Sequence, residues 1–103
     1  MGLFDFFGSP ASGSASETAK DWVQKGALLL DVRTAAEFSS GHVAGAKNIP
    51  VQELATRISE LPSKSQAVVV YCRSGGRSAA AASMLRQVGY QVHDLGAMSN
   101  WKQ

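Results

Sequence analysis

The sequence contains very little cysteine, and this shortage excludes several classes of protein. A single cysteine among 103 residues rules out an intramolecular disulfide and argues against a metal site built from cysteines. It fits a reducing compartment, so we expect a cytoplasmic protein. Residues 1–7 lack the basic start of a signal peptide and are too short to span a membrane, so we expect no membrane anchor at this end.

Charge is also sparse. Charged residues make up 17% of the chain and the formal net charge is +2, with the basic residues scattered. Binding of nucleic acid needs lysines and arginines clustered on one face, so we expect no nucleic-acid partner. The hydrophobic content of 45% is ordinary for a globular protein, and the length suits one domain.

The first part of the chain differs in composition from the rest. Residues 8–16 are small and polar and include a proline, so they bury too little apolar area to offset chain entropy. We therefore expect a flexible tail over residues 1–15 and a folded domain over residues 16–103. Three phenylalanines precede this segment, at Phe4, Phe6 and Phe7. They either fold back onto the domain or make a weak contact with a membrane or a partner.

Helical and strand patterns alternate through the remaining residues. Ser16 or Thr18 is the expected N-cap of a first helix that ends at Gly26. A capping box of Thr34 and Glu37 predicts a second helix, closed by Gly41. Further helices are predicted over residues 51–61 and 79–88, with strands over residues 27–32, 46–49, 67–71 and 90–95. This alternation predicts a single α/β domain whose central parallel sheet carries helices on both faces.

The residues that follow the strand at 67–71 combine several features that stabilise an anion. Cys72 lies directly after this strand, and ligands of parallel sheets bind beyond the carboxyl ends of the strands. Gly75 and Gly76 let successive N–H groups converge on one point, and the following helix adds its positive end. Arg73 and Arg77 add two formal charges. Surroundings of this type lower the pKa of a cysteine from ~8.5 to ~3.5–7.5.

A lone cysteine is more often a small, buried apolar residue than a nucleophile. An inert buried thiol, however, does not require two glycines and two arginines in the loop that follows it. The combination therefore predicts that Cys72 is reactive.

The first of two motifs consists of Asp31-Val-Arg33, Glu37-Phe38, Gly41-His42-Val43-Ala-Gly45-Ala46 and Asn48-Ile49-Pro50. The second motif, later in the chain, is the loop from Tyr71 to Ser78. Together and in this order, the two motifs resemble the rhodanese family, and the resemblance covers residues 22–101. Two departures, Ala44 for a common proline and Ala97 for a common glycine, lie outside the loop. No strand pattern is legible in the sequence before the first helix, so we expect a sheet that is one strand smaller.

The resemblance implies roles for individual residues. Cys72 would be the sulfur-accepting nucleophile, and Asp31 and Arg33 would support the site structurally. Nothing in the spacing makes His42 or His93 a base for Cys72. The resemblance further implies that the active-site loop that binds the substrate consists of Arg73, Ser74, Gly75, Gly76, Arg77 and Ser78.

The implied reaction is a double displacement through a persulfide of Cys72. Thiosulfate or a similar small anion would donate the sulfur, and cyanide or a thiol, including a thiol on a protein, would accept it. No metal and no organic cofactor are required. One alternative is a sulfur relay that a partner protein loads. Another is a cysteine phosphatase or an arsenate reductase, but those enzymes place an arginine at the position that Ser78 holds here.

Overall fold

The computed structural model describes residues 14–102. Within this range it contains helices α1 (Ala15–Gln24), α2 (Ala35–Ser40), α3 (Val51–Leu54) and α4 (Gly76–Gln87) and strands β1 (Leu28–Asp31), β2 (Lys47–Asn48), β3 (Val68–Cys72) and β4 (Val92–Ala97). Two 3₁₀ helices, Ala55–Glu60 and Met98–Asn100, complete the list. The tail predicted over residues 1–15 lies outside the described residues, apart from Ser14 and Ala15. The three phenylalanines also lie outside them.

The four strands form one parallel sheet in the order β2-β1-β3-β4. This confirms the predicted α/β fold with a central parallel sheet. The apolar runs predicted as strands at 27–32 and 67–71 supply the central strands β1 and β3. These strands are buried because helices cover both sides of the sheet, which explains why their sequences do not alternate between apolar and polar residues.

Side chains along the central strands alternate between two cores. Leu29, Val69 and Tyr71 face α1, where they pack against Ala19 and Trp22. The intervening residues face the opposite side of the sheet, which α3 and α4 cover. The buried residues of this second core are Leu30, Val32, Ile49, Leu54, Leu61, Val68, Val70, Cys72, Ala81, Ala82, Leu85, Tyr90 and Val92.

The start of α1 differs from the prediction. Ser14, rather than Ser16 or Thr18, is the N-cap, so that prediction is wrong. The Ser14 hydroxyl accepts a hydrogen bond from the Glu17 N–H at 3.1 Å, and the Glu17 carboxylate accepts one from the Ser14 N–H. This reciprocal capping box needs an acid three residues after the cap, and only Ser14 stands at that distance from Glu17.

Ser16 instead connects the first helix to the other end of the described chain. Its hydroxyl accepts a hydrogen bond from the Lys102 N–H at 2.8 Å. The Lys20 ammonium donates to the Lys102 carbonyl, and its nitrogen lies 5.6 Å from the centre of the Trp101 ring. Residues 16 and 102 are therefore neighbours in space.

Other element boundaries also shift. The helix predicted over residues 51–61 is a short α-helix followed by a 3₁₀ helix, with non-helical angles at Arg57. Helix α4 begins at Gly76, three residues before the predicted start. Glycine and serine favour helices weakly, so the first turn of α4 carries no helical signal in the sequence.

The capping box of α1 leads to a first prediction. Ser14→Ala removes the acceptor for the Glu17 N–H, so we expect the free energy of unfolding to fall by about 1 kcal/mol, measured by urea denaturation. Thr18→Ala is the matched control, because Thr18 lies inside the helix, and it should cost about half as much or less. A larger loss for Thr18→Ala than for Ser14→Ala would contradict the assignment of the cap.

Candidate active site

Cys72 is the last residue of a buried strand, and ligands of parallel sheets bind beyond the carboxyl ends of such strands. It is the last residue of β3, and the chain then turns through Arg73, Ser74 and Gly75 into α4. Its side chain has no exposed surface and packs in the core on the α4 side. Because β3 runs parallel to both neighbouring strands, Cys72 lies at the carboxyl edge of the sheet.

A left-handed glycine shapes the loop after the cysteine. Gly75 has a φ of 108°, which residues with a Cβ atom rarely adopt. This turn brings the N–H of Gly75 to 2.9 Å from the sulfur of Cys72. A Cβ at this position would lie 4.0 Å from its nearest neighbour, the Cα of Gly96. The backbone conformation, rather than a lack of space, therefore requires glycine here.

Burial and hydrogen bonding act on the Cys72 thiol in opposite directions. Burial raises its pKa, because a charged sulfur loses its hydration. Hydrogen bonds from the Ser78 hydroxyl and from the N–H groups of Ser78, Gly75 and Ser74 act against burial, and the pKa of Cys72 is lowered overall. The loop therefore favours a thiolate at a buried position.

Ser78 is the side chain that changes this balance most. It is fully buried in the first turn of α4, and its hydroxyl donates to the Gly75 carbonyl oxygen at 3.0 Å. A hydroxyl has one hydrogen, so the Gly75 oxygen and the Cys72 sulfur compete for it. A thiolate is charged and therefore the stronger acceptor, so ionisation of Cys72 draws the hydroxyl toward the sulfur.

The two loop arginines have different surroundings. Arg77 is paired with Glu37 of α2: its Nη1 lies 2.7 Å from Oε1 and its Nη2 lies 3.1 Å from Oε2. Arg73 is exposed and forms no hydrogen bond or ion pair with any residue in the range 14–102. Among the described residues, Arg77 is therefore paired and Arg73 is not.

Glu37 is the residue at this site that the sequence did not reveal. Its capping box with Thr34 is confirmed, with the Thr34 N–H donating to Oε1 at 2.9 Å and the Glu37 N–H donating to the Thr34 hydroxyl at 3.1 Å. The hydrogen bond from Arg77, followed by the Thr34 cap, lowers the pKa of Glu37 to about 2. Glu37 and Arg77 are 40 positions apart, and no local pattern reports such a contact.

Asp31 and Arg33 form a buried ion pair. Nε of Arg33 lies 3.0 Å from both carboxylate oxygens of Asp31, and Nη2 lies 2.7 Å from Oδ2. The same Nη2 donates to the Gly41 carbonyl at 2.7 Å, which ties down the end of α2. Hydrogen bonding to Asp31 raises the pKa of Arg33 despite the opposing effect of burial. Every charge of the pair is therefore compensated, as burial demands.

This ion pair lies on the other face of the sheet from the cysteine. Asp31 is in register with Tyr71, whose neighbour Cys72 points to the opposite side because side chains alternate along a strand. Burial raises the pKa of Tyr71 to about 12, so its phenol stays neutral and its oxygen accepts the Val43 N–H at 3.1 Å. The pair thus fixes the segment after α2 without touching the sulfur.

Neither histidine contacts the cysteine loop. His42 is exposed and stacks on Phe38 with ring centres 3.6 Å apart, and its Nδ1 lies 2.8 Å from the Phe38 carbonyl oxygen. The Nε2 of His93 lies 3.4 Å from the Ala15 carbonyl oxygen on the α1 side, and burial lowers the pKa of His93. Activation of Cys72 in this structure therefore rests on the loop itself.

Two further features of the described residues bear on function. Between residues 14 and 102, no cluster of three or more histidine, cysteine, aspartate or glutamate side chains has a geometry that could hold a metal ion. No helix in that range is long and apolar enough to cross a membrane.

Known proteins resemble this chain in sequence and in fold. A sulfurtransferase of Allochromatium vinosum is 46% identical over 61% of the chain, which spans 58% of that relative's length. The thiosulfate sulfurtransferase PspE of Escherichia coli is 37% identical, with 69% of this chain and 70% of PspE covered. The structure of the human single-domain sulfurtransferase TSTD1 matches with a TM-score of 0.67 at 30% identity, covering 80% of this chain and 87% of the human one.

A family model that matches nearly all of the described residues identifies the family of this chain. The profile of the rhodanese-like domain matches residues 15–103. The chain belongs to the rhodanese-like domain family, whose named relatives here are sulfurtransferases. This confirms the resemblance found in the sequence motifs.

The buried ion pair leads to a second prediction. Asp31→Asn leaves the buried Arg33 guanidinium without a counter-charge, so we expect the free energy of unfolding to fall by about 3–5 kcal/mol in urea denaturation. Asp21→Asn is the matched control, because Asp21 pairs with Lys25 at 3.1 Å on the surface, and it should cost about 1 kcal/mol or less. Equal losses would contradict the structural role of the Asp31–Arg33 pair.

The hydrogen bonds to the sulfur lead to a third prediction. Only the thiolate reacts with iodoacetamide, so the alkylation rate falls as pH falls through the pKa of Cys72. Because that pKa is lowered, the midpoint of the rate profile should lie below the ~8.5 of a free cysteine. Ser78→Ala removes one donor and should move the midpoint to higher pH. Ser74→Ala keeps its backbone N–H donor and should leave the midpoint in place; a shift of the same size would argue against the Ser78 hydroxyl.

Proposed function

We propose that the protein is a sulfurtransferase that carries sulfane sulfur as a persulfide on Cys72. The observation that carries the proposal is the loop around the sulfur. The Gly75 N–H lies 2.9 Å from Sγ, and the loop hydrogen bonds lower the pKa of a thiol that has no exposed surface. The same donors stabilise the thiolate that attacks the sulfur donor and that returns when the persulfide is discharged.

In the first half-reaction, the Cys72 thiolate attacks the outer sulfur of thiosulfate or a similar small anionic donor. A bond forms between the two sulfurs, and the bond from the outer sulfur to the sulfonate sulfur breaks. The electron pair of the broken bond leaves with sulfite. The thiolate charge passes to the terminal sulfur of the new persulfide, so no proton and no oxidant are needed.

In the second half-reaction, cyanide or a thiolate attacks the terminal sulfur of the persulfide. The sulfur–sulfur bond breaks, its electron pair returns to Cys72, and thiocyanate or a new persulfide departs. The chain has one cysteine, so it cannot resolve its persulfide as an internal disulfide. The acceptor is therefore an external molecule, either a small one or a thiol on another protein.

The remaining site residues have supporting roles in this proposal. The exposed Arg73 is the unpaired charge that attracts an anionic donor, and the N–H groups of Ser74, Gly75 and Ser78 hold the reacting sulfur. Gly76 and Arg77 begin the helix whose positive end faces that sulfur. Asp31 and Arg33 hold the segment after α2 and make no contact with the substrate.

The test of this proposal is intact mass after incubation with thiosulfate, before and after cyanide is added. We expect the wild type to gain one sulfur atom and to lose it to cyanide. Cys72→Ser should gain none while keeping its circular dichroism spectrum, because a hydroxyl nearly matches a thiol in size. Since Cys72 is the sole cysteine, the variant offers no other thiol that could be loaded.

A gain of one sulfur atom by Cys72→Ser would overturn the proposal. A wild type that is loaded by a protein persulfide but not by thiosulfate would be a relay module. A wild type that hydrolyses phosphate esters or reduces arsenate would belong to the alternative enzyme classes. The buried Ser78 argues against these classes, because their loops hold an arginine there to surround a tetrahedral oxyanion.

A further inference from the structure

The ion pair between Glu37 and Arg77 lies beside the cysteine loop. Glu37 comes from α2 and Arg77 from the first turn of α4, and their side chains meet through two hydrogen bonds of 2.7 and 3.1 Å. The side chains are 26% and 32% exposed, respectively, so a solute can reach the pair. Arg77 follows Gly75 by two residues, and the Gly75 N–H lies 2.9 Å from the sulfur of Cys72, so the pair lies beside the turn that holds the sulfur.

The carboxylate is the more firmly held partner of this pair. Besides Arg77, it accepts the Thr34 N–H at 2.9 Å within the cap of α2. The carbonyl oxygen of Gly41, at the other end of α2, accepts a hydrogen bond from the buried Arg33. Glu37 therefore cannot leave the site without breaking a helix cap. Its carboxylate also stays ionised throughout the neutral pH range, since its pKa is about 2.

A fixed negative charge at this point affects donors according to their own charge. A dianion that approaches the sulfur finds the Arg77 guanidinium already occupied and meets repulsion from Glu37. It must share Arg77 or break two charge-assisted hydrogen bonds. A donor with less negative charge experiences less repulsion and does not need the second arginine.

We propose that Glu37 determines donor specificity by disfavouring dianionic sulfur donors relative to donors of lower charge, such as organic thiosulfonates and persulfides. This inference rests on the sulfurtransferase function proposed above and refines its donor class. Glu37 acts by occupying the Arg77 guanidinium and by repelling negatively charged donors, without contact with the reacting sulfur atoms.

The first test compares thiosulfate, a dianion, with benzenethiosulfonate, a monoanion. Cys72 attacks the outer sulfur of both, and the leaving groups are sulfite and benzenesulfinate, with cyanide as the common acceptor. In Glu37→Gln we expect the ratio of kcat/KM for thiosulfate to that for benzenethiosulfonate to rise about fivefold, the size expected for a partly exposed charge pair. The change should lie in the KM for thiosulfate, with kcat nearly constant.

Two control variants test whether the effect comes from the carboxylate at position 37 rather than from side-chain shape or from the net charge of the protein. Glu37→Asp keeps the carboxylate and should keep the wild-type ratio. Glu60→Gln removes an equal charge from another glutamate paired with an arginine, Arg57, and should also leave the ratio unchanged. An unchanged or lower ratio in Glu37→Gln would overturn the inference, since a residue that merely holds Arg77 for the donor would weaken thiosulfate binding when removed.

A second measurement does not depend on turnover. Sulfate is a dianion without transferable sulfur, and its binding should protect Cys72 from neutral iodoacetamide. We expect half-protection at about fivefold lower sulfate in Glu37→Gln than in the wild type. Equal protection would contradict the role of Glu37 even if no donor were active. A wild type that forms no persulfide, combined with tighter sulfate binding by Glu37→Gln, would overturn the proposed function and support the inference about charge.

Discussion

The proposed chemistry depends on the hydrogen bonds that the sulfur of Cys72 receives from the Ser78 hydroxyl and from the N–H groups of its own loop. A thiol without exposed surface would normally stay protonated, because burial raises its pKa. Here the left-handed turn at Gly75 aims backbone donors at the sulfur. These donors move with the backbone and lose no side-chain entropy when the charge appears. The protein thus stabilises an anion with peptide groups of the main chain rather than with a charged side chain.

The sheet separates reactivity from support. Alternation along β3 places Cys72 on the α4 side and Tyr71 on the α1 side, next to Asp31 and Arg33. The buried ion pair can therefore be strong and fully compensated without competing for the sulfur. Its contact with Gly41 positions α2, and α2 carries Glu37 to the loop. Support from the far face thus reaches the active site through a helix rather than through a direct contact.

The sequence predicts the fold, and it identifies Cys72 as the candidate nucleophile, because both inferences depend on short-range patterns. The runs at 27–32 and 67–71 identify the central strands, and the Thr34–Glu37 box gives α2 its correct start. The N-cap of α1 was misplaced because several serines and a threonine lie close together, and only the partner of Glu17 distinguishes them. The pairing of Arg77 with Glu37 could not be predicted, since it joins side chains far apart in the chain and arises from how α2 packs against the loop.

The contact between Ser16 and Lys102 has a consequence for how this domain can be used as a building block. Because residues near both ends of the described chain lie side by side, the unit needs little span to be inserted into a surface loop of a host protein. For the same reason, a short linker could join the two ends while a new opening is cut in an exposed turn. Neither rearrangement would alter the order in which β3, the cysteine loop and α4 follow one another. The segment from β3 through α4 would therefore remain continuous in either arrangement.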